Sequence, residues 1–286
     1  MAEKLKSGLV TLIGRSNAGK STLLNTVVGT KVAIVTHKPQ TTRDVIHGVY
    51  NAPQGQAVFV DTPGIFKESK SALAGKLTER AQESLHGIDL LVYVVDPTRE
   101  IGAEERYILS LVRKSSAPKI LVINKSDLTE KEKPFLDDYR ALAEDFTAVF
   151  ELSALKNRHV QPLRDKVMEL LPEGEPLYPP EQLTNADPKF WTAELIREKI
   201  FLALRKEVPY TTHVEVQEIE EKPDVFVIKA TIFTNDSHYK KMIIGAGGRA
   251  IKEIGIAARK ELETALNKKV FLELEVETDK RWEERV

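Results

Sequence analysis

Leu9-Val10-Thr11-Leu12-Ile13 runs directly into Gly14-Arg15-Ser16-Asn17-Ala18-Gly19-Lys20-Ser21, and this junction decides the fold. The apolar half reads as a buried strand, and Gly14 to Ser21 fill every required place of the phosphate-cradling pattern G-x-x-x-x-G-K-[ST]. Gly14 and Gly19 let the main chain bend so that successive N–H groups converge on a polyphosphate. A helix beginning near Lys20 adds the positive end of its dipole. Lys20 is expected at the outer phosphates and the Ser21 hydroxyl on Mg2+, with Arg15, Ser16, Asn17, Ala18 and Thr22 completing the cradle. The competing reading, a glycine turn with no ligand, loses ground because the strand stands in front of it.

Outward from this loop, short β-rich runs at 9–13, 45–50, 57–60, 90–95, 119–123 and 148–151 alternate with helical patterns near 20–27, 71–86, 103–114, 132–145 and 160–171. Such alternation calls for a mostly parallel sheet covered on both faces, an α/β P-loop domain over residues 1–171. Ligands gather at the carboxyl ends of such strands. The proline-bearing stretch Pro172-Glu173-Gly174-Glu175-Pro176-Leu177-Tyr178-Pro179-Pro180 sustains neither helix nor interior strand, so 172–189 is expected as an extended linker.

Three further motifs follow strands of the first domain. Asp61-Thr62-Pro63-Gly64 places a carboxylate at a strand tip opposite Ser21, where it holds a magnesium-bound water, and brings Gly64 near the terminal phosphate. Asn124-Lys125-Ser126-Asp127 selects the base: the Asp127 carboxylate accepts from the ring N–H and exocyclic amine of guanine, donors that adenine does not offer there. Ser153-Ala154-Leu155-Lys156 places the Ala154 N–H for the guanine carbonyl. The aperiodic segment from Lys31 to Arg43 is long enough to wrap the phosphates, with Thr42 as the expected magnesium ligand of the triphosphate state and Thr41 the alternative. Nucleotide-binding residues are therefore Gly14 to Thr22, Asp61, Gly64, Asn124, Lys125, Asp127, Ser153 and Ala154, and metal ligands Ser21, Thr42 and Asp61.

Composition bounds the rest. With 286 residues two domains are the natural expectation, and 42 basic against 43 acidic side chains exclude a polybasic character for the chain as a whole. No cysteine is present, which removes disulfides and thiolate metal sites. A soluble cytoplasmic protein is expected, because no apolar leader or long apolar run occurs.

The second domain, 190–286, reads as helix 190–206, strands 213–220 and 224–234, helix 238–244, a glycine loop, helix 249–266 and strand 270–277. The loop Gly245-Ala246-Gly247-Gly248 between two helices suits a clamp on the backbone of about four single-stranded nucleotides. Between His238 and Lys269 eight basic residues face three acidic ones, so RNA contacts are expected from Lys240, Lys241, Arg249 and Lys252 with the four loop residues. The α-β-β-α-α-β order points to a KH domain of the prokaryotic (type II) kind. Ile243, Ile244 and Ile251 are expected chiefly in its core, and Trp282 as a lid on it.

Together these motifs resemble the translation-factor class of small GTPases, and the Era family in particular. The likeness covers nearly the whole chain, carried by Thr41-Thr42-Arg43 after Gln40, by Asp61-Thr62-Pro63-Gly64 and by the carboxyl-terminal domain. The resemblance implies slow hydrolysis of GTP to GDP and phosphate, since the residue after the motif glycine is apolar, here Ile65, and positions no water. It implies K+ held partly by Asn17, so that Lys20, Asn17 and Thr42 carry catalysis. It also implies binding to small-subunit ribosomal RNA and the small ribosomal subunit during assembly. A monomer is expected, with a peripheral membrane contact left open. Ser16 and Ala18 depart from the family's usual proline and valine, and Ala246 and Gly247 stand where a lysine is common. Two other classes stay open: an RNA-binding assembly factor with nucleotide as a structural ligand, and a regulatory GTPase gripping a protein.

Overall fold

A computed structural model of the chain describes residues 5–38, 41–64, 72–205 and 207–284. They form two compact units, Met1–Asn185 and Ala186–Val286.

The first unit runs β1 (Lys6–Ile13), α1 (Lys20–Val28), β2 (Ile46–Ala52), β3 (Gly55–Asp61), α2 (Ala72–Glu83), β4 (Leu90–Val95), α3 (Ala103–Lys114), β5 (Lys119–Ile123), α4 (Leu136–Arg140), β6 (Ala148–Glu151) and α5 (Val160–Leu170). Its sheet has the order β2-β3-β1-β4-β5-β6, parallel except where β2 turns back against β3. Every residue of β4 is buried, as continuous apolar strands covered on both faces require. On one face Ile13, Tyr93, Val95, Ile108, Val112, Leu121 and Tyr139 make a single core. The five parallel strands all end at the same edge of the sheet, so Ile13, Asp61, Val95, Ile123 and Glu151 deliver their following loops to one place.

Two expected elements come out differently. The helix expected over 132–145 is broken into a 3-10 turn at Glu130–Glu132, the short α4 and a second 3-10 turn at Ala143–Asp145. Pro134 is the cause: it has no N–H to give, and it forces the preceding Lys133 out of the helical region, to φ −119° and ψ 57°. The stretch 172–189, expected as a spacer, divides between the units. Residues 172–185 line the first unit, where the edge strand β2 needs partners: the Val49 N–H donates to the Leu183 carbonyl at 2.9 Å and the His47 N–H to Asn185 Oδ1 at 2.8 Å. The buried Gln56 fastens this strap, accepting from the Leu177 and Tyr178 N–H groups at 2.8 and 2.9 Å and donating to the Tyr178 carbonyl at 2.9 Å.

The second unit contains α6 (Pro188–Ala203), β7 (Thr212–Glu221), β8 (Val225–Thr234), α7 (Ser237–Ile244), α8 (Arg249–Leu266) and β9 (Lys269–Thr278). Helix α6 begins two residues before the expected position because Asp187 caps it, accepting from the Phe190 N–H at 2.9 Å, and Pro188 suits its first turn. Its sheet is β7-β8-β9, with β7 antiparallel and β9 parallel to β8. Leu195, Ile196, Ile200, Ile228, Ile232, Ile243, Ile254 and Leu262 fill the core. Trp282 is fully buried, its ring parallel to His213 at 5.9 Å between centroids.

Replacing Gln56 by the similarly sized Leu leaves two strap N–H groups and a carbonyl unpaired. A loss of about 2–4 kcal/mol in urea unfolding is expected, with faster amide exchange at Leu177 and Tyr178. An unchanged urea midpoint contradicts the assignment of the strap.

Candidate functional site

The phosphate loop is shaped by what lies behind it. A Cβ on Gly14 would stand 2.2 Å from the Val94 carbonyl oxygen, and one on Gly19, which has φ +103°, would stand 2.1 Å from Asn124 Nδ2. Both places therefore admit only glycine. Asn17 takes a left-handed conformation, φ +64°, which asparagine tolerates better than most residues. The loop closes around Lys20, whose Nζ donates to the carbonyls of Gly14 at 3.0 Å and Arg15 at 3.1 Å. Burial pushes the Lys20 ammonium below its ordinary pKa, while Asp61 and Glu105 favour its charge. Two carbonyls use two of its three hydrogens, and the third remains for an oxyanion. The α1 amides following Gly19 face the same space. The Arg15 side chain turns away to α3, reaching the Glu100 carbonyl at 3.1 Å and Glu105 at 3.4 Å, so this residue meets the cradle through its main chain.

Beside the lysine three side-chain oxygen groups converge. Ser21 Oγ donates to Asp61 Oδ2 at 2.5 Å and lies 3.0 Å from the Thr42 hydroxyl. Asp61 is fully buried, and that burial pushes its pKa up to about 6 against the pull of Lys20 and Ser21. Its Oδ1 has no hydrogen-bond partner among the described residues. A buried carboxylate with an idle oxygen, flanked by two hydroxyls, is a hard oxygen set that fits Mg2+ with water filling the remaining positions. Thr41 is turned elsewhere, to Thr36 Oγ1 at 2.6 Å and the Lys38 carbonyl at 2.7 Å, so the geometry favours Thr42 of the two candidates. Gly64 abuts Ser16, whose Cα would lie 2.9 Å from a Cβ there, and Thr22 and Thr36 line the same cleft. Asn17 Nδ2 donates to the His37 carbonyl at 2.8 Å and so ties the loop to the 31–38 segment. The expectations for Gln40 and Ile65 lie outside the described residues.

The residues expected to read the base are held by a buried amide. Asn124 Nδ2 donates to the Ala18 carbonyl at 2.9 Å, and Asn124 Oδ1 accepts from the Ala154 N–H at 3.0 Å. This stitches the phosphate loop to the 153–154 turn. The Ala154 N–H, expected on the guanine carbonyl, is thus engaged with Asn124 in this structure. Asp127 is half-buried, and a hydrogen bond from the buried Ser153 hydroxyl holds its carboxyl below the usual range. It is therefore fully ionised and available as an acceptor at neutral pH. Lys125 has φ +64° and pairs with Asp96 at 2.5 Å.

In the second unit the loop between α7 and α8 has Gly245, Gly247 and Gly248 at φ +74°, +59° and +77°. A Cβ on Gly247 or Gly248 would meet nothing within 4 Å, so their outer side is open to close approach. Lys241, Arg249 and Lys252 are exposed and Lys240 is half-buried, with Ala246 exposed at the loop tip. Sequence reasoning passed over Phe271 and Ile256, which are 58% and 48% exposed and line a groove with Ile251 and Leu274 beside Lys252 and Arg259. Their signal was a large apolar residue at an outward position of β9 and of α8.

Known proteins match this chain over most of its length. The model of a family described as 50S ribosome-binding GTPase matches residues 9–125, and that of the KH domain matches residues 207–283. The chain is 40% identical over 285 residues to the GTPase Era of Thermoanaerobacter sp. strain X514, covering 97% of this chain and 92% of that protein. It is 44% identical over 284 residues to the GTPase Era of Trichlorobacter lovleyi, covering 98% and 95%. Two solved structures superpose with TM-score 0.91 at 36% identity, covering 98% of this chain and 96% of theirs. One is a point variant of Era from Aquifex aeolicus bound to GDP·AlF4−, and the other is Era with MgGDPNP and a stretch of 16S ribosomal RNA.

Gly19→Ala is expected to abolish nucleotide binding while leaving the circular dichroism spectrum unchanged. Ser21→Ala is expected to weaken nucleotide binding by about tenfold with Mg2+ present and much less with the metal chelated, the loss of one metal ligand. Equal losses with and without Mg2+ contradict the placement of Ser21 on the metal.

Proposed function

Because the chain belongs to the Era family of GTPases, we propose that its nucleotide state governs its hold on RNA. It is a GTPase that hydrolyses GTP to GDP and phosphate, binds small-subunit ribosomal RNA through its KH domain and acts in ribosome assembly. The observation that carries this reading is the convergence, at one edge of one sheet, of Lys20, the Ser21–Asp61–Thr42 oxygen cluster and the Asn124-braced Asp127.

In this reading the loop amides and Lys20 hold the β- and γ-phosphates, and Asp127 reads the Watson–Crick edge of guanine. Mg2+ is the cofactor: Ser21 and Thr42 would hold it with Asp61 behind them, and it neutralises charge that develops on the phosphates. Lys20 offsets the same charge from a water-poor position and needs no reorganisation to do so. Thr42 would hold the metal in the triphosphate state, so that loss of the terminal phosphate would free it. Lys20, Asn17 and Thr42 are the proposed catalytic residues. K+ held partly by Asn17 is proposed as an activator, supported by the place of Asn17 against the 31–38 segment. The two units are proposed as a switch and an RNA reader, working as a cytoplasmic monomer. No described helix is long and apolar enough to cross a membrane.

On the RNA unit, Lys240, Lys241, Arg249 and Lys252 are proposed to meet phosphates around Gly245, Ala246, Gly247 and Gly248. Bases are proposed to enter the groove beside Phe271, an exposed ring that suits stacking.

Asp127→Asn removes an acceptor for guanine and presents a donor to the 2-carbonyl of xanthine. GTP affinity is expected to fall by about 10²-fold or more while xanthosine triphosphate gains; unchanged GTP affinity contradicts the role of Asp127. In the RNA unit, Lys252→Ala is expected to reduce the slope of log affinity against log salt by about 0.7, one phosphate contact on a single strand. RNA crosslinked to the full chain and sequenced is expected to be enriched in small-subunit ribosomal RNA, and scattered messenger fragments without that enrichment contradict the assembly role.

A further inference from the structure

Thr42 serves as a ligand only if the main chain on both sides of it is fixed. On its amino-terminal side Thr41 provides the tie, being buried and bonded to Thr36 and to the Lys38 carbonyl. On its carboxyl-terminal side the tie comes from another element. Arg80, on α2, donates from Nη1 to the Arg43 carbonyl at 2.9 Å and to Asp44 Oδ1 at 3.0 Å. That carbonyl belongs to the residue directly after Thr42.

Helix α2 is itself anchored, since Leu77 and Ala81 are buried in the core while Arg80 reaches outward. The Arg80 and Asp44 side chains are 33% and 38% exposed, and an ion pair so open to water contributes little to stability. Its geometry does more than its energy, because it connects the backbone next to Thr42 with the helix that follows the Asp61–Gly64 loop. We propose that Arg80 is a positioning residue for Thr42: it holds the threonine hydroxyl beside Ser21 and so sets the preference for triphosphate over diphosphate. This inference rests on the reading of Thr42 as the metal ligand of the triphosphate state.

The test measures equilibrium affinity of the full chain for GDP and for a non-hydrolysable GTP analogue, both with Mg2+, in the wild type and in Arg80→Ala, Arg80→Lys, Thr42→Ala and the Arg80→Ala, Thr42→Ala double variant. Arg80→Ala is expected to bind the analogue about tenfold more weakly and GDP within about twofold of wild type, the size of a typical coupling between sites. Arg80→Lys, which keeps a cation and one donor, is expected to recover part of the loss. The double variant is expected to be no weaker than Thr42→Ala, and the amides of Thr42 to Asp44 to exchange faster in Arg80→Ala with analogue bound. An unchanged ratio of the two affinities overturns the proposal, as do equal losses for both nucleotides or losses that add fully in the double variant. A wild type that binds neither guanine nucleotide overturns the nucleotide reading itself.

Discussion

Two opposite charges withdrawn from water govern this structure. Lys20 and Asp61 are both buried beside the phosphate loop, and burial disfavours each charge, drawing the lysine pKa down and the aspartate pKa up. Their mutual attraction offsets part of that cost. On the proposed reading a polyphosphate with Mg2+ would offset the remainder, with Lys20 donating to its oxygens and Asp61 standing behind the metal. A pocket of this kind stays poised for its ligand and is poorly suited to staying without it.

Holding such a pocket open needs rigid walls, and the fold supplies them by bonds between loops far apart in sequence. Asn124 joins the phosphate loop to the 153–154 turn, Asn17 joins it to the 31–38 segment, and Ser153 aims Asp127. Asn17 and Asn124 follow β1 and β5, strands buried along most of their length, and Ser153 follows the half-buried β6. The phosphate loop and the 153–154 turn therefore share one frame, so a change at Asn124 disturbs both.

The phosphate-loop pattern, the Asp61 and Asn124 motifs and the glycine loop between α7 and α8 were legible because each is a contiguous string whose conformation depends on local spacing. The strands were legible for the same reason: runs such as 90–95 and 119–123 carry their burial in their composition. Local signals were also present where the expectation failed, in Pro134 breaking the helix and in Asp187-Pro188 starting α6 early. What the string does not carry is pairing at long range. Nothing in Gln56 announces that it fastens Leu177 and Tyr178, and a proline-bearing stretch read by composition alone looks like a free spacer. The turn of Arg15 away from the cradle and the tie from Arg80 to Arg43 are hidden likewise, since each depends on which helix packs beside which loop.

Thermal melting of the full chain with Mg2+ and saturating GDP, set against Mg2+ and ADP at the same concentration, tests the matched pocket most directly. Ligand at about a thousand times its dissociation constant stabilises the state that binds it by about 4 kcal/mol. A rise of several degrees with GDP and none with ADP is expected. Equal rises with both nucleotides, or no rise with either, would contradict a buried charge pair built for a guanine nucleotide and its metal.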